Sequence, residues 1–185
     1  MRAFAWAELA VIYLAWWYPF IFRAPHVQKR QSITVTGRTR IGLALETVAI
    51  FMAWLIRDGG APRTGAAYLA GAAFLAVVSC WLGWTAVTHL GKQFRIHAGL
   101  YHDHELVRTG PYAVVRHPIY ASLMLLLVST ILIVTPWLIG LAALVVFVIG
   151  TEIRVHTEDG LLASRFGDQF RIYQKRVPAY IPFIR

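Results

Sequence analysis

Long apolar runs alternate along the chain with short, strongly polar ones. A helix needs about 20 apolar residues to cross about 30 Å of hydrocarbon, and five stretches reach or approach that length: 3–22, 41–56, 65–90, 118–134 and 136–156. Between the fourth and fifth only Thr135-Pro136 intervenes, a spacing that predicts a tight turn between antiparallel helices. Residues 157–185 alternate basic and aromatic side chains and end on spaced prolines, which predicts an interfacial segment, helical at first and then extended. No repeat, low-complexity tract or linker interrupts the pattern. The expected fold is therefore all-α: an integral membrane protein of about five transmembrane helices, forming one domain over 1–185.

Composition strengthens this reading and charge orients it. With 58% hydrophobic and 15% charged residues, the chain carries more apolar surface than one soluble core could hide. A net charge of +9 would suggest nucleic acid in a soluble protein, but the basic residues sit between the apolar runs, so no nucleic-acid partner is expected. The first loop (Arg23, Lys29, Arg30, Arg38, Arg40), the third loop (Lys92, Arg95, Arg108, Arg116) and the tail hold all the Lys and Arg except Arg2, Arg57 and Arg63. Basic loops stay in the cytoplasm. That predicts an outward N-terminus, with the third loop and the tail together on the cytoplasmic side. Arg2 precedes an apolar run as in a signal peptide, but Glu8 interrupts that run and no small-residue cleavage site follows it, so a retained first span is expected. Cys80, the single cysteine, cannot form an intramolecular disulfide and reads as a buried small hydrophobe. A prokaryotic inner membrane suits these features, and an endoplasmic reticulum membrane fits the same physics. Trp16, Trp17, Tyr18 and Trp54 lie where interfacial aromatics belong.

The chemistry is concentrated beside the fourth span. Residues 90–120 read LGKQFRIHAGLYHDHELVRTGPYAVVRHPIY, and Pro118 suits the first turn of a helix whose leading N–H groups make an anion site. A second charged cluster, Arg154 to Asp159 (RVHTED), leaves span five on the same side. On a helix Arg154 and Glu158 are four apart, and Glu152, His156 and Asp159 share another face, so surface ion pairing alone would account for them. The functional alternative is an acidic group facing a cationic ligand, with Arg116 or Arg154 facing an anionic one. His97, His102, Asp103 and His104 offer imidazole and carboxylate groups but lack a matching second cluster, and no metal is expected. No phosphate loop, nucleophile elbow or nucleotide fingerprint occurs. Glu46, inside a short apolar span, is costly unless it meets a partner. Spans one to three carry too few polar groups for a transport pathway.

The run HELVRTGPYAVVRHPIY, His104 to Tyr120, resembles the "H-x-L-V-x-x-G-P-Y-x-x-x-R-H-P-x-Y" segment of the isoprenylcysteine carboxyl methyltransferase family and its phospholipid methyltransferase relatives. The stretch TEDGLLASRFGDQFRIYQKRVPAYIPFI, Thr157 to Ile184, is similar to that family's acidic-pair and "V-P-x-x-I-P-F" elements, and Leu90 to Phe94 is similar to its entry to the region. The resemblance implies a membrane methyltransferase dependent on S-adenosyl-L-methionine, with a cytoplasmic cofactor pocket built by the loop before span four and the segment after span five. It implies cofactor contacts from His104, Leu106, Val107, Gly110, Tyr112, His117, Tyr120, Glu158 and Asp159, with Glu158 pairing the cofactor's amino group. Arg116, Arg154 and Glu158 are the implied catalytic groups. The implied acceptor is a lipophilic or prenylated molecule drawn from membrane lipid and methylated on a carboxylate; no obligate protein partner is evident. A phospholipid or other lipid N-methyltransferase is the alternative, and a sterol-reductase-like oxidoreductase or a non-catalytic scaffold the next. Asp159 stands where the family usually has a second glutamate, Ala121-Ser122 where glycine is common, and Gln169-Phe170 where an acid and tyrosine are frequent.

Overall fold

The computed structural model describes residues 2–22, 32–34, 37–55, 62–94, 99–101 and 105–182. Helix α1 is Arg2–Phe22, α2 Gly37–Leu55, α3 Ala66–Leu90, α4 Pro118–Val134, α5 Trp137–Phe166 and α6 Asp168–Arg176. Short 3-10 turns occupy Gly91–Gln93 and Gly110–Ala113. Strand β1, Ser32–Thr34, pairs antiparallel with β2, Gly99–Tyr101, joining Ser32 to Tyr101 and Thr34 to Gly99. The architecture is helical, with this small ribbon as an addition the apolar pattern does not announce.

Three helices are long and apolar enough to cross a membrane, over 3–22, 66–93 and 137–166, and α4 is a shorter apolar helix. Phe4, Leu14, Phe51, Phe74, Trp81, Leu138 and Leu141 are all exposed, an apolar surface that water would penalise and lipid does not. The protein is an integral membrane protein.

Packing follows two main pairings, α2 on α5 and α3 on α4, with α1 laid against α3. One core joins Ala49, Ala53, Leu127, Ile131, Ala143 and Phe147 across α2, α4 and α5. A second, with Ile12, Trp16, Ala76 and Leu126, joins α1, α3 and α4. Polar side chains also tie the helices together where no water competes: Ser79 Oγ donates to the Ser122 carbonyl at 2.6 Å, Trp16 Nε1 to Ser122 Oγ at 3.2 Å, and Thr135 Oγ1 to the Ala53 carbonyl at 2.8 Å. Small residues permit the closest crossing, as in membrane bundles generally. A Cβ on Gly150 would lie 2.7 Å from the Gly42 carbonyl oxygen and 3.1 Å from the Glu46 nitrogen, so α2 and α5 touch backbone to backbone.

The structure departs from the expected pattern in α5 and in the tail. The charged cluster at 154–159 predicts the end of a span and the start of an interfacial segment at 157, yet the helix runs unbroken to Phe166. Its charges find lateral partners, so nothing in them stops the helical backbone. Beyond α6 the chain turns back under the bundle: Phe170, Tyr173, Ala179 and Tyr180 are buried, and the carbonyls of Pro178 and Ala179 accept from the N–H groups of Arg116 and His117 at 2.9 and 2.8 Å.

Replacing Gly150 with alanine should lower the thermal midpoint in detergent, at a cost of about 1–3 kcal/mol for overpacking a backbone contact. Gly160, on the same helix with nothing within 4 Å of its Cβ position, is the control. Alanine there should leave the midpoint unchanged or raise it, because glycine is the poorer helix former.

Candidate active site

The site is assembled from four pieces of chain that meet at one end of the bundle. His117 is the N-cap of α4, followed by Pro118 at the first helical position. Gly110 takes φ +60°, a left-handed conformation suited to glycine, and the His89 ring fills the space its side chain would need, 2.2 Å from the Cβ position. The segment Gly110–His117 is thereby folded over the end of α3 and pinned from below by the tail. Tyr173 contributes a further tie, donating from its hydroxyl to the Tyr112 carbonyl at 2.6 Å.

Six charged side chains converge there. Asp159 accepts from Arg116 Nη2 at 2.9 Å, from His117 Nε2 at 2.9 Å and from Gln174 Nε2 at 3.1 Å. Glu158, on the neighbouring face, lies 3.4 Å from His117 Nδ1 and accepts from the Tyr120 hydroxyl. Arg154 does not turn to Glu158, its neighbour one helical turn on. It reaches across to α2, where Nη1 meets Glu46 Oε2 at 2.7 Å and Thr151 Oγ1 supports the other carboxylate oxygen at 3.0 Å. Its guanidinium also covers the Tyr120 ring, 4.8 Å from the centroid. Arg116 spends its remaining donors on the carbonyls of Gln174, at 3.2 Å, and Val177. Three cations face three carboxylates, which limits the cost of taking them out of water.

His117 carries both its neighbours' charge. Burial pushes the imidazole toward its neutral form, but hydrogen bonds to Asp159 and Glu158, with their negative charges, outweigh burial and hold its pKa up to about 9. Both ring nitrogens therefore donate, and at neutral pH the group is an imidazolium.

A cavity of about 460 Å³ opens beside this network, within the size range of small-molecule sites. Of the residues expected to form the site, Leu106, Val107, Tyr112, Arg116, His117, Tyr120, Arg154 and Glu158 line it. Asp159 and Gly110 do not: Asp159 stands behind His117 with its oxygens already engaged, and Gly110 shapes the turn. His104 lies outside the described residues, as do His97, His102 and Asp103. His156 sits on the opposite, exposed surface 3.3 Å from Glu152, the plain surface pairing that helical spacing allows. The opposite wall comes from Trp16, Phe20, Leu43, Glu46 and Ile50 of α1 and α2, which no local motif flags. Gln93 also lines it. Its side chain is 5% exposed, and neither amide atom has a hydrogen-bond partner among the described residues, a deficit that costs about 1–3 kcal/mol if nothing fills it.

The sequence model of the isoprenylcysteine carboxyl methyltransferase (ICMT) family matches residues 72–164, half of the chain. The chain belongs to that family. The matched part of this ICMT-family protein includes α4, most of α5 and the loop before them, hence Gln93, Arg116, His117, Tyr120, Arg154, Glu158 and Asp159, but neither α1 nor α2. Similar proteins are the protein-S-isoprenylcysteine O-methyltransferases of Schizosaccharomyces pombe and Tribolium castaneum and the B form of Arabidopsis thaliana. They are 37%, 34% and 32% identical over 82, 103 and 103 residues, covering 44%, 54% and 54% of this chain. The matched stretches amount to 35%, 36% and 52% of the relatives' own lengths, so this ICMT-family chain spans between about a third and a half of them.

Two outcomes follow from the network. Glu46→Ala should destabilise the protein by about 3–5 kcal/mol, since it strands a buried cation, while Glu46→Leu combined with Arg154→Met should recover most of the lost thermal midpoint. Because the His117 pKa is raised, the stability it contributes is complete below its ordinary value of 6.5 and is lost as pH rises through about 9. The thermal midpoint should fall across that interval, and the fall should be shallower in His117→Asn.

Proposed function

We propose that the chain is a methyltransferase dependent on S-adenosyl-L-methionine that O-methylates a carboxylate on a lipophilic, prenylated acceptor. The observation that carries this reading is the two-sided lining of the cavity: ionic at the α4–α5 end, aromatic and aliphatic where α1 and α2 close it. A charged, water-borne cofactor and a lipid-dissolved substrate need both linings in one space. Family membership supports the reaction class, and the printed names of the relatives, all isoprenylcysteine O-methyltransferases, support the acceptor class.

The residues present fit the cofactor. Glu158 keeps 24% of its side chain exposed although His117 and Tyr120 hold it, so an oxygen lone pair remains for a ligand ammonium. The unpaired Gln93 amide and the apolar faces of Leu106 and Val107 remain for the rest. When bound, S-adenosyl-L-methionine supplies an electrophilic methyl group on a positively charged sulfur.

The protein's task is then to position and to exclude water. An ionised carboxylate is a sufficient nucleophile, and it needs a cation beside it for orientation. Arg154 suits that task, being in the cavity wall and fixed by Glu46 and the Tyr120 ring. Arg116, held by Asp159 and the tail carbonyls, acts as a positioning residue for His117 and for the loop. Trp16, Phe20 and Ile50 would take the lipid chain. An amine acceptor would have to lose a proton, and this favours the carboxylate: His117 already carries its proton between two carboxylates, and His156 faces away from the cavity. The same reading keeps five spans, with the site at the cytoplasmic face where the basic loops gather.

Calorimetric titration of the purified protein with S-adenosylhomocysteine tests the assignment. Micromolar binding is expected, with Glu158→Gln weakening it at least about tenfold through loss of a charge-assisted bond. Folded wild-type protein that fails to bind would overturn the methyltransferase reading. A bound product analogue, followed by methyl transfer to a prenylcysteine in lipid nanodiscs but not to phosphatidylethanolamine, would decide the acceptor.

A further inference from the structure

Gln93 ends the 3-10 turn that follows α3, away from the charged clusters of α4 and α5, and has no part in the network they form. It is nevertheless nine-tenths buried, lines the cavity, and leaves both Oε1 and Nε2 without a hydrogen-bond partner among the described residues. Buried amides in folded proteins are almost always satisfied. An amide with an empty acceptor and an empty donor, side by side on a cavity wall, marks the place of a ligand edge that presents the reverse pair.

That requirement is selective. A carboxylate offers two acceptors and an ammonium offers donors alone, so neither end of an amino acid satisfies a carboxamide in full. Adenine offers a donor, its 6-amino group, beside a ring-nitrogen acceptor, the pairing that glutamine and asparagine make with this base. The match holds in either orientation of the amide, since the terminal group can be turned over. The surroundings suit a flat base. Leu90 and Phe94 flank Gln93 in the cavity wall, and the Phe94 ring lies 5.7 Å from that of Phe20, giving apolar and aromatic surfaces of the kind on which bases stack.

We propose that Gln93 reads the adenine of the cofactor, its carboxamide hydrogen-bonding the base edge and so selecting an adenine nucleoside. This rests on the methyltransferase reading and adds to it the residue that recognises the base. An acceptor with its own peptide amide could present a similar edge, and the experiment separates the two because it is run without acceptor.

The test is titration of wild type and Gln93→Leu with S-adenosylhomocysteine and with its analogue lacking the 6-amino group. Gln93→Leu should bind S-adenosylhomocysteine about 10–100-fold more weakly, while the two proteins should bind the deaminated analogue within about threefold of each other. The ligand-free thermal midpoint of Gln93→Leu should equal or exceed that of wild type, because an unpaired buried amide has been replaced by an apolar group of similar size. Wild-type affinity of Gln93→Leu for S-adenosylhomocysteine overturns the proposal, and so does an equal loss for both ligands. Unchanged affinity with impaired methyl transfer would give the amide to the acceptor instead. If the wild type binds S-adenosylhomocysteine and Gln93→Leu matches it, only the role of Gln93 fails; if folded wild type binds neither ligand, the parent reading fails with it.

Discussion

Charge balance inside an apolar bundle is the constraint on which the rest of the structure depends. Arg116, His117 and Arg154 are all buried at one end of the helices, and each would be ruinous there without an anion. Glu46, Glu158 and Asp159 provide three. The pairings cross between elements: α5 supplies one cation and two anions, α2 one anion, and the loop before α4 two cations. The helices can therefore meet in one arrangement only without stranding a charge. The near-contact of Gly42 and Gly150 serves this end, because a bulkier crossing would hold Glu46 away from Arg154.

The same network divides its members by what remains available. Asp159 has accepted three hydrogen bonds and is closed to any ligand. Glu158, bound from two sides, still opens on the cavity. Adjacent residues on one helix thus take different parts: one fixes the imidazolium and the loop, the other meets what enters. The aspartate's shorter side chain is no handicap in that buried role, since Arg116 and His117 come to it.

Much of this was legible from residue order. The apolar runs mark all five long helices, with ends close to those observed, because lipid-facing helices need little more than length and hydrophobicity. The stretch 104–120 and the acids at 158–159 stand out because polar groups are dense where lipid begins. The extent of α5 was not legible, since charges at 154–159 read as an exit from the membrane and only their distant partners explain why the helix continues. The Glu46 to Arg154 pair lies 108 residues apart, whereas helical spacing points Arg154 to Glu158. Gln93 carries no local signal at all. An amide after an apolar span looks like any polar boundary residue until its neighbours are known.

The Glu46–Arg154 pair also bears on the order in which the protein is made. Glu46 is synthesised long before Arg154, so α2 reaches the membrane when its carboxylate has no counter-charge. Until α5 follows, the economical place for that acid is at the water boundary, with α2 shallow or unsettled. Helix α2 is thus the late partner in assembly despite its early position in the chain, and the final bundle forms by its docking onto α5.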